Sequence, residues 1–218
     1  MGRLFSPDSG LAKGLSYVGD MMVLNLLFLL CSLPVVTIGA SASALCYVAQ
    51  KMAAENDVGV AKPFFRAFRE NFRKGTAIGL LLLAAGVLIW TGSGVVKANP
   101  DRFPFVVSAV YVLAAVFLWL TVSWVFQVQA KFENTVFRTI KNAFILGMAH
   151  PVRSIALMVL TALAPGLCIF ATYWFLATSF LWFLFGFSGI AILKSLIINK
   201  VFSVLIGDRD DSDKGEES

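Results

Sequence analysis

The chain has 218 residues, of which 58% are hydrophobic and 14% are charged, and its mean hydropathy is +0.80. That much apolar surface exceeds what the core of one soluble domain can bury, so the composition places the protein in a lipid bilayer. The net charge of +5 does not indicate nucleic-acid binding, because the Lys and Arg residues lie between the apolar runs, where membrane topology explains them.

Two apolar segments on either side of a corner at Pro34 and Gly39 organise the chain. Residues 17–33 form the first predicted span and residues 36–50 the second. The proline disfavours a helical conformation of the residue before it, and the glycine adds a flexible joint, so we predict a tight outer turn. Small side chains in the second segment predict a helix in the interior of the bundle. The sequence leaves open whether residues 34–50 cross the membrane fully or re-enter.

A segment rich in Phe and Arg follows at residues 63–74. It begins at Pro63, which suits the first turn of a helix. The helical spacing of its aromatic rings predicts an amphipathic helix on the cytosolic membrane surface, with each basic residue contributing about 1 kcal/mol near anionic head groups. The alternative is a soluble loop helix packed under the bundle. The candidate lipid-facing or interface residues are Phe64, Phe65, Arg66, Phe68, Arg69, Phe72, Arg73 and Lys74.

Four longer apolar runs complete a predicted bundle of six transmembrane helices. These runs are residues 75–96, 103–128, 154–175 and 178–198. Only a few residues connect the last two, which predicts an antiparallel hairpin. The fold class is therefore all-α, with residues 1–206 forming one transmembrane domain. The acidic, Ser- and Gly-rich residues 207–218 are predicted to be a disordered cytosolic tail.

The distribution of positive charge sets the predicted orientation. With six spans and the amino terminus inside, 15 Lys and Arg residues lie in inner segments and two, Lys97 and Arg102, lie outside. With five spans, the alternative, the ratio becomes 13 to 4. Because cytoplasmic loops carry an excess of Lys and Arg, the count favours six spans with both termini in the cytosol.

Residues typical of catalytic, metal or cofactor sites are not grouped in this sequence. His150 precedes Pro151 at a membrane boundary, which indicates a capping or turn role. The cysteines Cys31, Cys46 and Cys168 lie inside apolar runs without a CxxC pair, so we predict reduced packing residues. No phosphate-binding loop and no pair of membrane-embedded carboxylates is present. We therefore predict a protein that is not an enzyme and needs no cofactor.

Several polar and charged residues do lie within the predicted spans. They are Asp20, Asn25, Thr37, Ser41, Ser43, Gln127 and Lys194. A salt bridge between the aspartate and the lysine would clip the first and last helices together, whereas the alternative is that each reaches the interface separately. The uncharged residues either line one polar cavity or form hydrogen bonds between helices.

Three stretches of the chain resemble a known family. They are LNLLFLLCSLPVVTIGASASALCYVAQKM, KPFFRAFRENFRKG and KNAFILGMAHP. Together they are similar to the YesL-like (DUF624) family of bacterial integral membrane proteins, over about residues 4–205. The matching positions include Pro34, Thr37, Gly39, Phe65, Phe68, Asn71, Phe72, Asn142 and Pro151. Because such proteins are often encoded beside carbohydrate-uptake ABC transporters and glycoside hydrolases, the resemblance implies a link to sugar import.

Two functions from different classes follow as expectations. The first is a non-enzymatic accessory partner of a carbohydrate-uptake ABC transporter in the bacterial inner membrane, contacting lipids and permease subunits but no nucleic acid. The second is a small transporter or channel with a polar cavity between its helices. They differ in whether Asn25, Thr37, Ser41, Ser43 and Gln127 converge on one cavity. The sequence does not indicate the oligomeric state, the partner or the ligand.

Overall fold

The protein is built from helices. The computed structural model describes residues 10–54, 59–173 and 182–216. In chain order its elements are α1 (Gly10–Ser32), a 3-10 helix (Val35–Thr37), α2 (Ile38–Ala54), α3 (Ala61–Ala98), α4 (Phe105–Lys131), α5 (Val136–Ala149), α6 (Pro151–Tyr173), a π-helical turn (Trp182–Gly186) and α7 (Phe187–Glu216). These ranges contain no strand, which confirms the all-α prediction. Residues 1–9 and the predicted turn between the last two spans lie outside the described residues.

The described residues contain four helices that are long and apolar enough to cross a bilayer. They are α1 over Gly14–Ser32, α3, α4, and the π-helical turn with α7 over Trp182–Ser203. The chain bends by 115° between α5 and α6, and this bent pair is a fifth candidate span if it counts as one broken span. With 17 residues α2 is about 26 Å long, short of the usual crossing, so the prediction of six spans is not confirmed.

The predicted corner is present and is closed by hydrogen bonds. Helix α1 ends at Ser32, Pro34 is extended, and the Thr37 amide donates to the Pro34 carbonyl at 2.9 Å. The Thr37 hydroxyl lies 2.7 Å from the Cys31 carbonyl oxygen, which satisfies an acceptor at the end of α1. Gly39, however, lies inside α2 and not in the turn. Its predicted role as a flexible joint is therefore wrong.

Gly39 instead lets α2 and α3 come into backbone contact. A Cβ added at Gly39 would collide with the carbonyl oxygen of Gly75 and lie 3.1 Å from the Gly79 Cα. A Cβ added at Gly75 would in turn lie 2.9 Å from the Ala40 Cα. Such close approach requires residues without a side chain, as in other small-residue helix contacts. This confirms that the small residues place α2 in the interior, where most of its side chains are buried.

Helix α3 combines two elements that were predicted to be separate, the amphipathic segment 63–74 and the span 75–96. Its 38 residues run without a break for about 57 Å, so the amphipathic segment 63–74 is the start of this helix and not a separate one. The N-terminal half lies beside α2, whereas further along the helix Gly86 and Gly92 face Leu118 and Tyr111 of α4. The apolar C-terminal half therefore forms a hairpin with α4 that extends past α2.

Buried apolar side chains form two clusters. One joins α1, α2, the start of α3 and α7, and includes Leu24, Val48 and Phe64. The other joins α3, α4, α5, α6 and α7 around Trp124, with Phe202 on α7. Because α7 contributes to both clusters, the last helix ties the two parts of the bundle together.

Two further predictions about local structure are wrong. Residues 136–149, read as part of a basic loop, form helix α5, which buries Thr139, Ala143 and Gly147 on one face. Helix α7 extends to Glu216, so residues 207–216 are helical where composition predicted disorder. A segment attached to an existing helix does not bear the cost of nucleation, and no proline interrupts it.

The contact between α2 and α3 yields a stability prediction. We expect Gly39→Ala to lower the free energy of unfolding by about 2–3 kcal/mol, or to prevent folding, because its methyl group meets backbone atoms that cannot move independently. The thermal unfolding midpoint of the detergent-solubilised protein measures the effect.

Gly94→Ala on α3 is the matched control. A Cβ at Gly94 has no neighbour within 4 Å, so alanine should leave the unfolding midpoint unchanged or raise it slightly. If Gly39→Ala were as stable as Gly94→Ala, the glycine contact would not fix the position of α2.

Candidate functional site

Buried amide side chains join three helices at one end of the bundle. Nε2 of Gln50 on α2 lies 2.9 Å from the backbone oxygen of Gln127 on α4 and 2.7 Å from its Oε1. Nδ2 of Asn199 on α7 donates to the Gln50 carbonyl at 3.2 Å. Both glutamines are almost fully buried, so each hydrogen bond satisfies a group that has no access to water.

A second, separate set of hydrogen bonds joins the same end of α4 to α3 and α5. Nε2 of Gln129 donates to Oδ1 of Asn71 on α3 at 2.8 Å. The hydroxyl of Thr139 on α5 lies 3.1 Å from Oε1 of the same glutamine. We call the six residues Gln50, Asn71, Gln127, Gln129, Thr139 and Asn199 the polar junction. It connects five helices. The sequence indicated Gln127, Gln129 and Asn199 as polar residues that line a cavity or bond between helices, and Asn71 as a position that matches the family.

The polar junction lies at the end of the bundle where the basic residues are found. Asn71 lies within the Arg-rich half of α3, and Thr139 lies between the exposed Arg138 and Lys141 on α5. Lys131 follows Gln129 at the end of α4, and it too is exposed. The junction therefore holds cationic segments that are far apart in sequence at one end of the molecule.

The Phe- and Arg-rich segment has one buried and one exposed side. Phe64 is fully buried in the cluster with Val48, so it is a core residue and not a lipid contact as predicted. Phe65 and Phe72 are 52% and 42% exposed. Phe68 is partly buried and contacts Phe72 edge-on with ring centroids 5.5 Å apart. The helix turns Phe64 toward α1 and α2 with Phe68 at the edge of the same cluster, which leaves Phe65 and Phe72 for the outer surface.

The exposed basic side chains on this segment form a single positive face. Arg66 pairs with Glu70 one turn later at 2.9 Å, and both side chains are mostly exposed, so this pair adds little stability. Arg69, Arg73 and Lys74 are exposed as well. We call Arg66, Arg69, Arg73 and Lys74 the basic face of α3.

Asn25 forms hydrogen bonds to the backbone where the π-helical turn meets α7. Its Nδ2 donates to the Phe183 carbonyl at 2.6 Å, and its Oδ1 accepts from the amides of Phe187 and Ser188, both at 2.9 Å. Asn25 is fully buried, and its one side-chain oxygen thus accepts from two successive amides at the start of α7. Its role is therefore to join α1 to α7.

The other small polar candidates bond locally. Thr37 closes the corner, and the hydroxyls of Ser41 and Ser43 donate to the carbonyls four residues earlier, at 3.0 and 2.9 Å. Each proton is thus used within its own helix or turn. Of the five residues that the sequence proposed for one polar cavity, Gln127 lines the cavity described below. Asn25 joins α1 to α7, and the three hydroxyls bond within their own helix or turn.

The predicted Asp20–Lys194 salt bridge is not among the ion pairs of the described residues, where Arg66–Glu70 is formed. Asp20 is partly buried on α1 and has an interaction of its own. Lys194 is directed instead toward α2, where it lines a cavity with Cys46. The lysine thus points between helices and not along α1.

His150 has the capping role that the sequence predicted. Its amide donates to the Leu146 carbonyl at 3.2 Å to end α5, and its carbonyl accepts from the Ser154 amide at 2.9 Å to begin α6. Nε1 of Trp124 donates to the Ser154 hydroxyl at 3.0 Å, which fixes this corner against α4. No local pattern predicts the contact of Trp124 with Ser154, because these residues are 30 positions apart.

Within the described residues, no group of three or more His, Cys, Asp or Glu side chains is placed to hold a metal ion. The arrangement described above consists of hydrogen bonds between helices and an exposed basic surface. Its chemistry is that of packing and of contact with anionic groups.

Asn25 provides a test of how the first and last helices are joined. We expect Asn25→Ala to lower the free energy of unfolding by about 2 kcal/mol, because a fully buried side chain loses three hydrogen bonds that join α1 to the π-helical turn and α7. Thermal unfolding in detergent measures this change.

Asn99→Ala is the matched control, since the Asn99 side chain bonds the Val95 carbonyl of its own helix near the surface. It should change stability by less than about 0.5 kcal/mol. Equal effects of the two substitutions would show that Asn25 does not join α1 to α7.

Comparison with protein families gives one match. The family described as a protein of unknown function, DUF624, matches residues 21–92, which contain most of α1, all of α2 and most of α3. Comparison with curated proteins and with solved structures gives no match. The matched range includes the corner, the glycine contact and the basic face of α3.

Proposed function

We propose that this protein, which carries the DUF624 family sequence over residues 21–92, is a non-enzymatic membrane protein that docks a partner through its basic face. The partner in this proposal is the permease of a carbohydrate-uptake ABC transporter in the bacterial inner membrane. The observation that carries the docking role is the exposed basic face of α3, held in place by the polar junction.

The helix directions support a single cytosolic face. Asn25 contacts Phe187 and Ser188, and Met21 lies near Gly189, so α1 and α7 are antiparallel and the start of one lies near the end of the other. Helix α2 also runs toward this end, where Lys51 lies in its last turn. This arrangement fits a cytosolic location for both termini and for the basic face, as positive-inside topology requires.

The choice of partner comes from the family resemblance. YesL-like proteins are often encoded beside carbohydrate importers and glycoside hydrolases, and an accessory role needs no catalytic set. An ABC permease has cytosolic loops that a cationic helix can contact. Exposed Phe65 and Phe72 give the same surface an apolar component, which suits either the membrane interface or a protein groove.

A transporter or channel is less well supported by the geometry. Such a protein needs a continuous polar path, yet Asn25, Thr37, Ser41 and Ser43 use their hydrogen-bonding groups in helix contacts. The accessory role therefore accounts for more of the described polar residues.

The docking role predicts a charge-dependent association. We expect the triple variant Arg69→Gln, Arg73→Gln and Lys74→Gln to recover at least fivefold less permease than the unchanged protein when purified from native membranes under mild detergent. The reason is that exposed cations contribute to association through complementary charge, which also makes it sensitive to salt. Quantitative mass spectrometry of the permease subunits measures recovery.

Lys97→Gln with Arg102→Gln is the control, because both residues are exposed at the far end of α3 and in the following loop. This variant should recover the permease normally. The docking proposal fails if the unchanged protein recovers no transporter subunit, or if both variants lose it equally.

The proposed orientation has its own test. Reporters fused to the amino terminus and to the carboxyl terminus should be active in the cytosol, and a reporter inserted between Asp101 and Arg102 should be active in the periplasm. The physical reason is that most Lys and Arg residues lie in the segments that are predicted to face the cytosol. A periplasmic signal from the amino terminus would invert the orientation and exclude the basic face as a cytosolic docking surface.

A further inference from the structure

A cavity of about 190 Å³ lies between α2, α4, α6 and α7. Most of its wall is apolar and includes Val122, Phe126, Phe187 and Ile190. The polar residues that reach it are Cys46, Ser123, Gln127, Thr161 and Lys194. The volume is several times the roughly 30 Å³ that a water molecule occupies in the liquid, so a small organic molecule fits.

One buried polar group at this cavity lacks a partner. Gln127 is 1% exposed, and its Oε1 accepts from Gln50, but its Nε2 has no hydrogen-bond partner within the described part of the chain. A buried amide without an acceptor costs free energy, and the great majority of such groups are paired. Gln127 borders the cavity, so a rotation of its side-chain amide would present this donor to an acceptor from a ligand.

The second donor at the cavity is a primary amine. Lys194 is partly buried, and its neighbours across the cavity include Cys46 on α2. The described residues give it no carboxylate partner. An ionisable side chain directed between apolar helices is costly unless it serves a ligand or an ion, so a lysine here indicates a binding site.

The hydroxyl groups at the cavity are already committed. Oγ1 of Thr161 lies 2.6 Å from the Leu157 carbonyl oxygen and 3.1 Å from Oγ of Ser123. Oγ of Ser123 donates to the Trp119 carbonyl at 2.8 Å. Because these protons serve backbone carbonyls, the Lys194 amine and the Gln127 amide are the donors left for a ligand.

We propose that this cavity binds a small monocarboxylate. Its carboxylate would accept hydrogen bonds from the Lys194 amine and the Gln127 amide, and its short alkyl chain would lie against Phe126, Phe187 and Ile190. The site lies apart from the basic face of α3, so this proposal stands independently of the docking role.

The composition of the wall selects this class of ligand. One lysine balances one negative charge, whereas a phosphate dianion would keep an uncompensated charge among apolar side chains. A halide ion would leave most of the cavity unfilled. A neutral amide of the same shape would make hydrogen bonds but would not pair with the amine. Three or four carbons fit both the volume and the apolar wall.

Binding of sodium butyrate tests the proposal. The full chain is placed in phosphatidylcholine nanodiscs at pH 7.5, so that the lipid supplies no carboxylate, and titrated calorimetrically with butyrate, butyramide or phosphate. We expect saturable binding of butyrate, and at least tenfold weaker binding of the other two. The variant Lys194→Met should bind butyrate at least tenfold more weakly than the unchanged protein.

Lys200→Met is the matched control, because Lys200 is exposed on the same helix and does not line the cavity. It should bind butyrate as the unchanged protein does. Equal binding by the Lys194→Met variant, or binding of butyramide as tight as that of butyrate, would overturn the proposal.

Cys46 allows a second measurement that leaves both donors intact. In a Cys31→Ser, Cys168→Ser variant, saturating butyrate should slow the reaction of Cys46 with methyl methanethiosulfonate at least threefold, because the ligand and the thiol share the cavity. Butyramide at the same concentration should not slow it. An unchanged rate with butyrate would place any bound carboxylate elsewhere and contradict the assignment.

Discussion

The backbone contact between α2 and α3 determines the arrangement of the other helices. Gly39, Gly75 and Gly79 allow two helices to touch without intervening side chains. This contact places α2 along the Arg-rich half of α3 and leaves the apolar half to pair with α4. Once α2 is fixed there, Gln50 reaches α4 and Cys46 faces α7, so both the polar junction and the cavity follow from the same contact.

Most buried polar side chains lie where they can form hydrogen bonds with other groups of the protein. In a bilayer no water is available to satisfy a buried amide, so each polar side chain must find a protein partner. Asn25 accepts a hydrogen bond from the Phe187 amide at the start of α7, and Gln129 on α4 bonds to side chains of α3 and α5. Among the described buried side-chain groups, the Ser32 and Thr76 hydroxyls and the Gln127 amide nitrogen have no partner. Of these three residues Gln127 borders the cavity between α2, α4, α6 and α7.

Local sequence predicted the features that depend on neighbouring residues. Composition indicated a membrane protein, Pro34 marked the corner, and His150 was correctly read as a cap. Gly75 was misread as the start of a new span, because its contact with Gly39 is 36 residues away in sequence and leaves no local pattern. Helix α5 was read as a loop because its basic residues were interpreted as loop charge, although Thr139, Ala143 and Gly147 recur at helical spacing on its buried face. The partners of Asn25 and Lys194 likewise depend on tertiary contacts that a single sequence does not reveal.

The length of α3 has a mechanical consequence. A helix that runs unbroken from Ala61 to Ala98 behaves as a stiff rod, since no proline lies within it beyond the first turn. A force applied at its cationic end would displace the far end, together with the helix hairpin that it forms there. A displacement of one end of α3 is thus transmitted along the helix to the hairpin with α4 without any hinge in between.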